Sequence, residues 1–301
     1  MKGGLVKTSD YTSIGGLVAS AMVAAGVSWA LGHGGICVLG LPAVAWVVAA
    51  AFAIQWAAFV PAFVLHTERF YDLIGSVTYI TAIGLSMALS RPLDARSLLL
   101  SLLIAVWAVR LGTFLFRRVR AAGKDARFDV IKRSFLRFLT AWTVQGLWVS
   151  LTLAAALGAI TTSVRKPLGI WGWIGLAVWM AGFGIEAVAD EQKRRFRKDP
   201  GHRGRFITRG LWRWSRHPNY FGEMVLWIGV AVIAAPVLSG WQWMGLISPV
   251  FVIFLLTRVS GIPPLERRAD DRWGGQADYE AYKRRTSVLI PRPPKHVQRD
   301  V

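Results

Sequence analysis

Three short segments of this 301-residue chain combine charged and aromatic side chains at spacings that could support chemistry. In residues 186–197, the side chains of Glu186, Asp190, Arg194 and Arg197 fall within an arc of about 80° if the segment is helical. One helix face would then carry carboxylates first and guanidinium groups farther along. Such a face could bind a ligand with a polar end and a phosphorylated end. The alternative is a juxtamembrane helix whose arginines contact lipid phosphates.

A second segment, residues 214–223, is rich in hydrogen-bonding side chains. Its polar members include Arg216, His217, Asn219, Tyr220 and Glu223. Pro218 suits the first turn of a helix, and Asn219 and Glu223 lie four residues apart on one face of that helix. The pattern predicts one wall of a polar pocket. The alternative is a helix start within the belt of aromatic residues at a membrane interface.

The third segment contains Tyr71 and Asp72 at the entrance of an apolar stretch. Desolvation raises the pKa of a buried carboxyl group, so Asp72 and the neighbouring phenol could give a hydrogen bond or a proton to a substrate oxygen. The same residues could instead cap the start of a helix. Both interpretations stay open from the residues alone.

The elements that must position these segments are membrane-spanning helices. Hydrophobic residues make up 54% of the chain and the mean hydropathy is +0.42, which is more apolar surface than a soluble core of this length can bury. Apolar segments fall at residues 14–32, 37–65, 73–90, 97–116, 134–160, 168–190, 218–237 and 242–260. The second contains Pro42 and Pro61, which predicts a tilted, kinked or partly interfacial helix. We therefore expect an all-α, polytopic transmembrane helical bundle of seven or eight spans.

The net charge of +19 comes from basic residues in the connectors between apolar segments. They concentrate in residues 117–137, in residues 191–217 and after residue 257, which are alternate connectors. Lys and Arg collect on the cytoplasmic side of membrane proteins, so this pattern predicts that both termini are cytoplasmic. The same distribution argues against a nucleic-acid partner. The histidines show no ligand spacing, and no metal site is predicted.

At these segments the sequence resembles the bacterial membrane-protein family grouped with the C-terminal domain of steroid 5α-reductases. The resemblance covers roughly residues 40–295. It rests on the motifs Tyr71-Asp-Leu-Ile-Gly75, Arg110-Leu-Gly112, Phe128-Asp129, Glu186 to Asp190, Arg216 to Glu223, Ser260-Gly-Ile-Pro263 and Leu265-Glu266. It implies an N-terminal span in residues 1–36, a reductase-like domain in residues 37–295 and a tail in residues 296–301, with a bacterial inner membrane as the location.

Steroid 5α-reductases reduce an activated carbon–carbon double bond with NADPH, so the resemblance implies a cofactor pocket among the C-terminal helices that opens to the cytoplasm. The family's Asn-Tyr-x-Gly-Glu pattern matches residues 219–223, and its catalytic Gln-Glu-Leu pattern matches residues 71–73. The match implies Asp72, assisted by Tyr71, as the catalytic group. The resemblance implies Asp190, Arg197, Asn219, Tyr220 and Glu223 as NADPH-binding positions. The predicted cofactor site also includes Glu186, Arg194, Arg205, Arg216, His217 and Glu266. Of these, Arg194, Arg197 and Arg205 are expected to receive the 2′-phosphate of NADPH.

Two positions depart from the reductase pattern. The tyrosine that assists the catalytic glutamate falls near Val106 or Trp107, and the histidine of the reductase tail falls at Glu266. Both differences bear on the substrate more than on NADPH. We expect a membrane-embedded, NADPH-dependent reductase of an activated C=C bond in a lipophilic substrate, whether steroid-, prenyl- or acyl-like, which enters from the bilayer among membrane lipids.

Two other functions stay open. The pattern Arg216-His217-Pro218-x-Tyr220-x-Gly222 also resembles membrane methyltransferases of the isoprenylcysteine carboxyl methyltransferase type, which bind S-adenosylmethionine. Those enzymes usually carry a Glu-Glu pair downstream, where this chain reads Leu265-Glu266-Arg267-Arg268. The third possibility is a sterol- or lipid-binding protein that retains the fold without catalysis. The sequence gives no indication of the oligomeric state.

Overall fold

The computed structural model describes residues 2–122 and 128–294 and is almost entirely helical. The helices are α1 (Lys2–Gly32), α2 (Ala43–Val64), α3 (Tyr71–Leu89), α4 (Ala95–Ala122), α5 (Phe135–Thr161), α6 (Gly169–Lys198), α7 (Pro218–Ala234), α8 (Ile247–Phe254), α9 (Ile262–Trp273) and α10 (Ala277–Arg285). Within the described residues, eight helical stretches are long and apolar enough to cross a membrane. The predicted all-α polytopic bundle is confirmed, with eight candidate spans, and the chain is an integral multi-pass membrane protein.

The second apolar segment is shorter than the sequence predicted. Residues 37–42 form a hairpin of β1 (Cys37–Val38) and β2 (Leu41–Pro42), in which Cys37 pairs with Pro42 and Val38 with Leu41. Leu39 and Gly40 both have positive φ angles, which a two-residue hairpin turn of this hand requires. Because the hairpin takes up these residues, α2 begins only at Ala43, while Pro61 does lie inside the helix.

The eighth span is not one continuous α-helix. Residues Gly240–Leu246 form a 3₁₀ helix, α8 follows, and Leu255–Val259 form a π-helix that leads to α9. Pro249 lies in the first turn of α8, where its missing N–H costs no hydrogen bond within that helix. The candidate span therefore extends over Gly240–Trp273 rather than ending at residue 260.

The chain divides into two compact units, and the first comprises Met1–Gly172 and Ile233–Ser248. Its central element is α5, in which every residue from Val149 to Thr161 is buried. A helix that is apolar and buried all round belongs inside a bundle, and α5 packs against α1, α2 and α3. Tyr71 and Asp72 begin α3 and belong to this unit.

The second unit comprises Trp173–Val232 and Pro249–Val301. In it α6 and α7 pack with their backbones in contact, because glycines occupy both surfaces. A Cβ atom on Gly182 would lie 2.4 Å from the backbone nitrogen of Leu226, and one on Gly222 would lie 2.5 Å from that of Glu186. This unit holds every residue predicted to bind the cofactor. The predicted domain boundaries at residues 36 and 295 stay predictions.

Candidate functional site

A cavity of about 330 Å³ lies in the second unit, between the end of α6, the loop before α7, and helices α9 and α10. The loop is anchored at Trp212, whose ring is buried and donates a hydrogen bond from Nε1 to the carbonyl oxygen of Ala189 at 3.0 Å. Leu211 adds a bond from its backbone N–H to Oε1 of Gln192 at 2.9 Å. These contacts hold residues 205–217 against α6, so that the loop forms one wall of the cavity.

The cavity wall is strongly cationic. Its lining includes the basic residues Lys193, Arg197, Arg205, Arg216, Arg268 and Arg272. Glu266 is the single carboxylate among the lining residues. Arginine guanidinium groups match the geometry of phosphate oxygens, so a phosphorylated ligand would compensate this charge.

Glu266 organises one end of the cavity. Its Oε2 lies 2.8 Å from Nη1 of Arg216, and its Oε1 lies 2.7 Å from Nε2 of His217. Burial lowers the pKa of His217, against the raising influence of the Glu266 carboxylate, and nearby Lys193 and Arg216 lower it further. The imidazole is therefore neutral at pH 7. Because a carboxylate can only accept, the ring proton lies on Nε2, which leaves Nδ1 as an acceptor.

Aromatic side chains form another wall. The ring of Phe206 lies 5.6 Å from Trp273, 5.2 Å from Tyr279 and 5.6 Å from Tyr282, measured between centroids. The hydroxyl of Tyr282 donates to the carbonyl oxygen of Trp212 at 2.7 Å, and that of Tyr279 to Oδ1 of Asp270 at 2.9 Å. Burial raises the pKa of both tyrosines, so both phenols stay neutral. This wall offers flat apolar faces to a ligand.

Five of the predicted cofactor-binding residues line this cavity. They are Arg197, Arg205, Arg216, His217 and Glu266. Arg194 does not, because its Nε and Nη2 atoms both bond to the carboxylate of Glu191 at 2.6 Å, outside the lining. A local i,i+3 ion pair thus engages the arginine that the helical arc had grouped with Arg197.

The remaining predicted cofactor residues lie on α6 and α7 outside the cavity lining. Glu186 and Asp190 are buried on α6. The ring of Tyr220 stacks on that of His217, with centroids 5.8 Å apart and planes 8° apart. The Oδ1 atom of Asn219 is buried and accepts no hydrogen bond from the described residues. Glu223 follows one turn later on α7, and its role in binding stays a prediction.

The two predicted catalytic residues have different surroundings. The phenol of Tyr71 donates to the carbonyl oxygen of Ala141 at 2.9 Å, and its ring packs against Phe128 and Trp142 at 4.7 and 5.1 Å. That hydroxyl proton is directed at the backbone, as in a packing residue. Asp72 is half-buried in the first turn of α3. Catalytic roles for both residues stay predictions.

The sequence did not single out most of the α9 and α10 wall. The lining residues that were not predicted as site residues are Lys193, Phe196, Phe206, Ile207, Trp212, Leu265, Arg268, Ala269, Arg272, Trp273, Tyr279 and Tyr282. A signal was present on α9, because Leu265, Ala269 and Trp273 recur every fourth residue beside Arg268 and Arg272. That spacing places one apolar and one basic stripe next to each other on the helix.

Comparison with known proteins places the chain in a protein family. A family model described as a protein of unknown function (DUF1295) matches residues 58–286. The chain is 33% identical over 119 residues to 3-oxo-5-alpha-steroid 4-dehydrogenase 1 of Rattus norvegicus, covering 39% of this chain and 40% of the relative. It is 31% identical over 128 residues to a steroid 5-alpha-reductase of Arabidopsis thaliana, covering 41% and 44%. The expected likeness to steroid 5α-reductases is confirmed.

An uncharacterized protein of Schizosaccharomyces pombe is 25% identical over 186 residues, which cover 51% of this chain and 54% of that protein. The chain thus spans about half the length, or less, of the curated relatives that it matches. No solved structure matches the chain. The bacterial location and the relation to the methyltransferases stay predictions.

Proposed function

Because this chain belongs to the DUF1295 family and resembles steroid 5α-reductases, we propose that it is a membrane-embedded, NADPH-dependent reductase of an activated C=C bond. The observation that carries the proposal is the cationic cavity of the second unit. Six basic side chains and one carboxylate line it, beside a wall of aromatic rings. A dinucleotide with several phosphate groups and a flat base supplies the charge and the shape that these walls complement.

Two acceptor atoms support the presence of a nucleotide base. Nδ1 of His217 and Oδ1 of Asn219 are buried and receive no hydrogen bond from the described residues. A buried acceptor without a donor is costly, and the amino or carboxamide N–H of a nucleotide base is a donor of the required kind. NADPH, when bound, supplies the hydride. In this proposal the residues around Glu266 hold the cofactor and keep His217 in the tautomer that accepts.

The substrate in this proposal is lipophilic and carries a carbonyl group conjugated with the double bond. The relatives are named for steroids, and the eight membrane-crossing helices favour entry of an apolar molecule from the bilayer. Asp72 is the group that we assign to the substrate oxygen, where a protonated carboxyl would stabilise the negative charge that develops after hydride addition. Oxidation of NADPH measured with a panel of steroid-, prenyl- and acyl-like enones distinguishes the three substrate classes.

The methyltransferase alternative fits the cavity less well. S-adenosylmethionine carries a sulfonium cation and no phosphate, so it would bring positive charge to a wall that already carries six bases. A protein that binds only a neutral sterol, without catalysis, has no need of a cationic cavity with buried acceptor atoms. We therefore retain NADPH as the cofactor in this proposal.

The test begins with the full chain purified in detergent, from which bound nucleotides are extracted and identified by mass spectrometry. NADPH and S-adenosylmethionine are then titrated separately, with the unfolding midpoint as the readout. We expect stabilisation by NADPH and oxidation of NADPH in the presence of a lipophilic enone. Stabilisation by S-adenosylmethionine alone would refute the reductase, and NADPH binding without oxidation of any enone would leave only a nucleotide-binding function.

A matched pair of variants locates the cofactor. Arg205 lines the cavity, whereas Arg203 is exposed two residues earlier and does not line it. Arg205→Gln should weaken NADPH binding about tenfold, the effect of losing one hydrogen bond to a charged group. Arg203→Gln should leave the affinity unchanged. Equal effects of the two variants would place NADPH elsewhere.

A further inference from the structure

Helix α9 presents one continuous face to the cavity. Leu265, Arg268, Ala269 and Arg272 all line it, and their spacing of three to four residues places them on the same side of the helix. Within residues 2–122 and 128–294, neither Arg268 nor Arg272 forms an ion pair with a carboxylate. Their guanidinium groups therefore remain available for an anionic ligand.

The basic stripe of α9 adjoins the aromatic wall. The guanidinium carbon of Arg272 lies 5.0 Å from the ring centroid of Trp273, and that ring lies 5.6 Å from Phe206. A cation close to an aromatic face is held there by the ring quadrupole. The guanidinium group of Arg272 therefore lies beside the aromatic wall, where it can contact an anionic group of a ligand whose flat ring packs against Phe206.

The size of the cavity limits how much of a dinucleotide it can hold. Its volume of about 330 Å³ is at the lower end of the roughly 300–1,000 Å³ that ligand sites occupy. That space suits one nucleoside with its phosphate groups better than two nucleosides joined by a pyrophosphate. The aromatic faces and the arginines select the half of NADPH that carries adenine and the 2′-phosphate.

Resting on the function proposed above, we propose that this cavity is the adenosine subsite, and that Arg272, with Arg268, binds the 2′-phosphate. The 2′-phosphate is attached to the ribose carbon next to the one that bears adenine, so it lies close to the base. Arg272 is the cavity arginine in contact with the aromatic wall. The preference for NADPH over NADH is therefore set on α9 rather than by Arg194, which Glu191 already engages.

The experiment uses fragments that need no reductase chemistry. Binding of adenosine 2′,5′-bisphosphate and of adenosine 5′-monophosphate to the detergent-solubilised full chain is measured by calorimetry, because the two probes differ only in the 2′-phosphate. The variants are Arg272→Gln and Arg268→Gln, and both side chains are exposed, so neither change should unfold the chain. Arg267→Gln is the control, since Arg267 is an exposed neighbour on the same helix that does not line the cavity.

We expect the parent chain and Arg267→Gln to bind the bisphosphate at least about tenfold more tightly than the monophosphate. Arg272→Gln should remove most of that difference, and Arg268→Gln a smaller part. A preference that persists in both variants would overturn the assignment to α9 and leave the NADPH function intact. Binding of NADPH without binding of either fragment would show that the cavity is not the adenosine subsite. Binding of neither NADPH nor the fragments would refute the proposed function as well.

Discussion

The substitution Glu266→Gln tests how the cavity is organised. The Glu266 carboxylate forms an ion pair with Arg216 at 2.8 Å and accepts a hydrogen bond from Nε2 of His217 at 2.7 Å, so one charge positions two cavity residues. Glutamine keeps the size and one acceptor oxygen but removes the charge. The variant should therefore loosen Arg216 and His217 together without creating a void.

The expected loss of stability follows from the two contacts. The hydrogen bond from His217 to the charged carboxylate contributes about 1.5–3 kcal/mol, and the partly exposed ion pair with Arg216 contributes up to about 1 kcal/mol. The amide retains part of that, and the Glu266 side chain is 22% exposed, so solvent screens part of the rest. We therefore expect Glu266→Gln to lower the free energy of unfolding by about 2 kcal/mol in total.

Denaturant titration in detergent measures this loss, and a double-mutant cycle with Arg216→Gln separates the direct pair from other effects. The coupling energy between the two positions should be about 1 kcal/mol. Asp271→Asn is the matched control, because Asp271 lies on α9 but is exposed and outside the cavity lining. A coupling energy of zero, or an equal loss in Asp271→Asn, would refute the role given to Glu266.

Three further predictions concern the catalytic group, pH and topology. Asp72→Asn should keep the NADPH affinity of the parent chain and lose turnover, and undiminished turnover would remove Asp72 from the mechanism. Burial lowers the pKa of His217, so the contribution of the neutral imidazole to the free energy of unfolding is present above about pH 6.5 and is lost as the pH falls through the folded-state pKa. His217→Gln should flatten that part of the profile of stability against pH, and an unchanged profile would contradict the neutral imidazole. In a Cys37→Ser background, Arg203→Cys should be labelled only from the cytoplasmic side and Lys166→Cys only from the opposite side. The reverse pattern would overturn the predicted orientation. Residue 125, in the basic connector of residues 117–137, is also predicted to be cytoplasmic but lies outside the described residues.

The spans could be predicted because the bilayer imposes one simple requirement on the chain. Each crossing needs about 20 apolar residues with internally satisfied backbone groups, and hydropathy reports that directly. Helices α3 and α7 accordingly begin within a few residues of the predicted positions, at Tyr71 and Pro218. The hairpin at residues 37–42 was not predicted, because it depends on a left-handed backbone conformation at Leu39 and Gly40, which hydropathy does not report.

The site was predictable only where its residues are close in sequence. Arg216 and His217 were recognised within one motif, and the family resemblance added Glu266 from α9. The aromatic wall depends on contacts such as Tyr282 with Trp212, which are 70 residues apart and leave no local pattern. Arg194 illustrates what a helical arc leaves out, since the arc groups residues by direction but does not reveal that Glu191 binds the guanidinium outside the cavity lining; its role in cofactor binding stays a prediction.

The charge balance of the cavity links binding to stability. Six bases and one carboxylate line it, and His217 is neutral, so an excess of five positive charges faces a common space. Like charges held close together destabilise the folded state, and the Glu266 carboxylate offsets part of that repulsion, next to Arg216. A ligand with several phosphate groups removes the remaining repulsion and stabilises only the folded chain, so its binding raises the free energy of unfolding. A neutral or cationic ligand would leave the repulsion in place, and for this physical reason we propose a phosphorylated nucleotide as the ligand of the cavity.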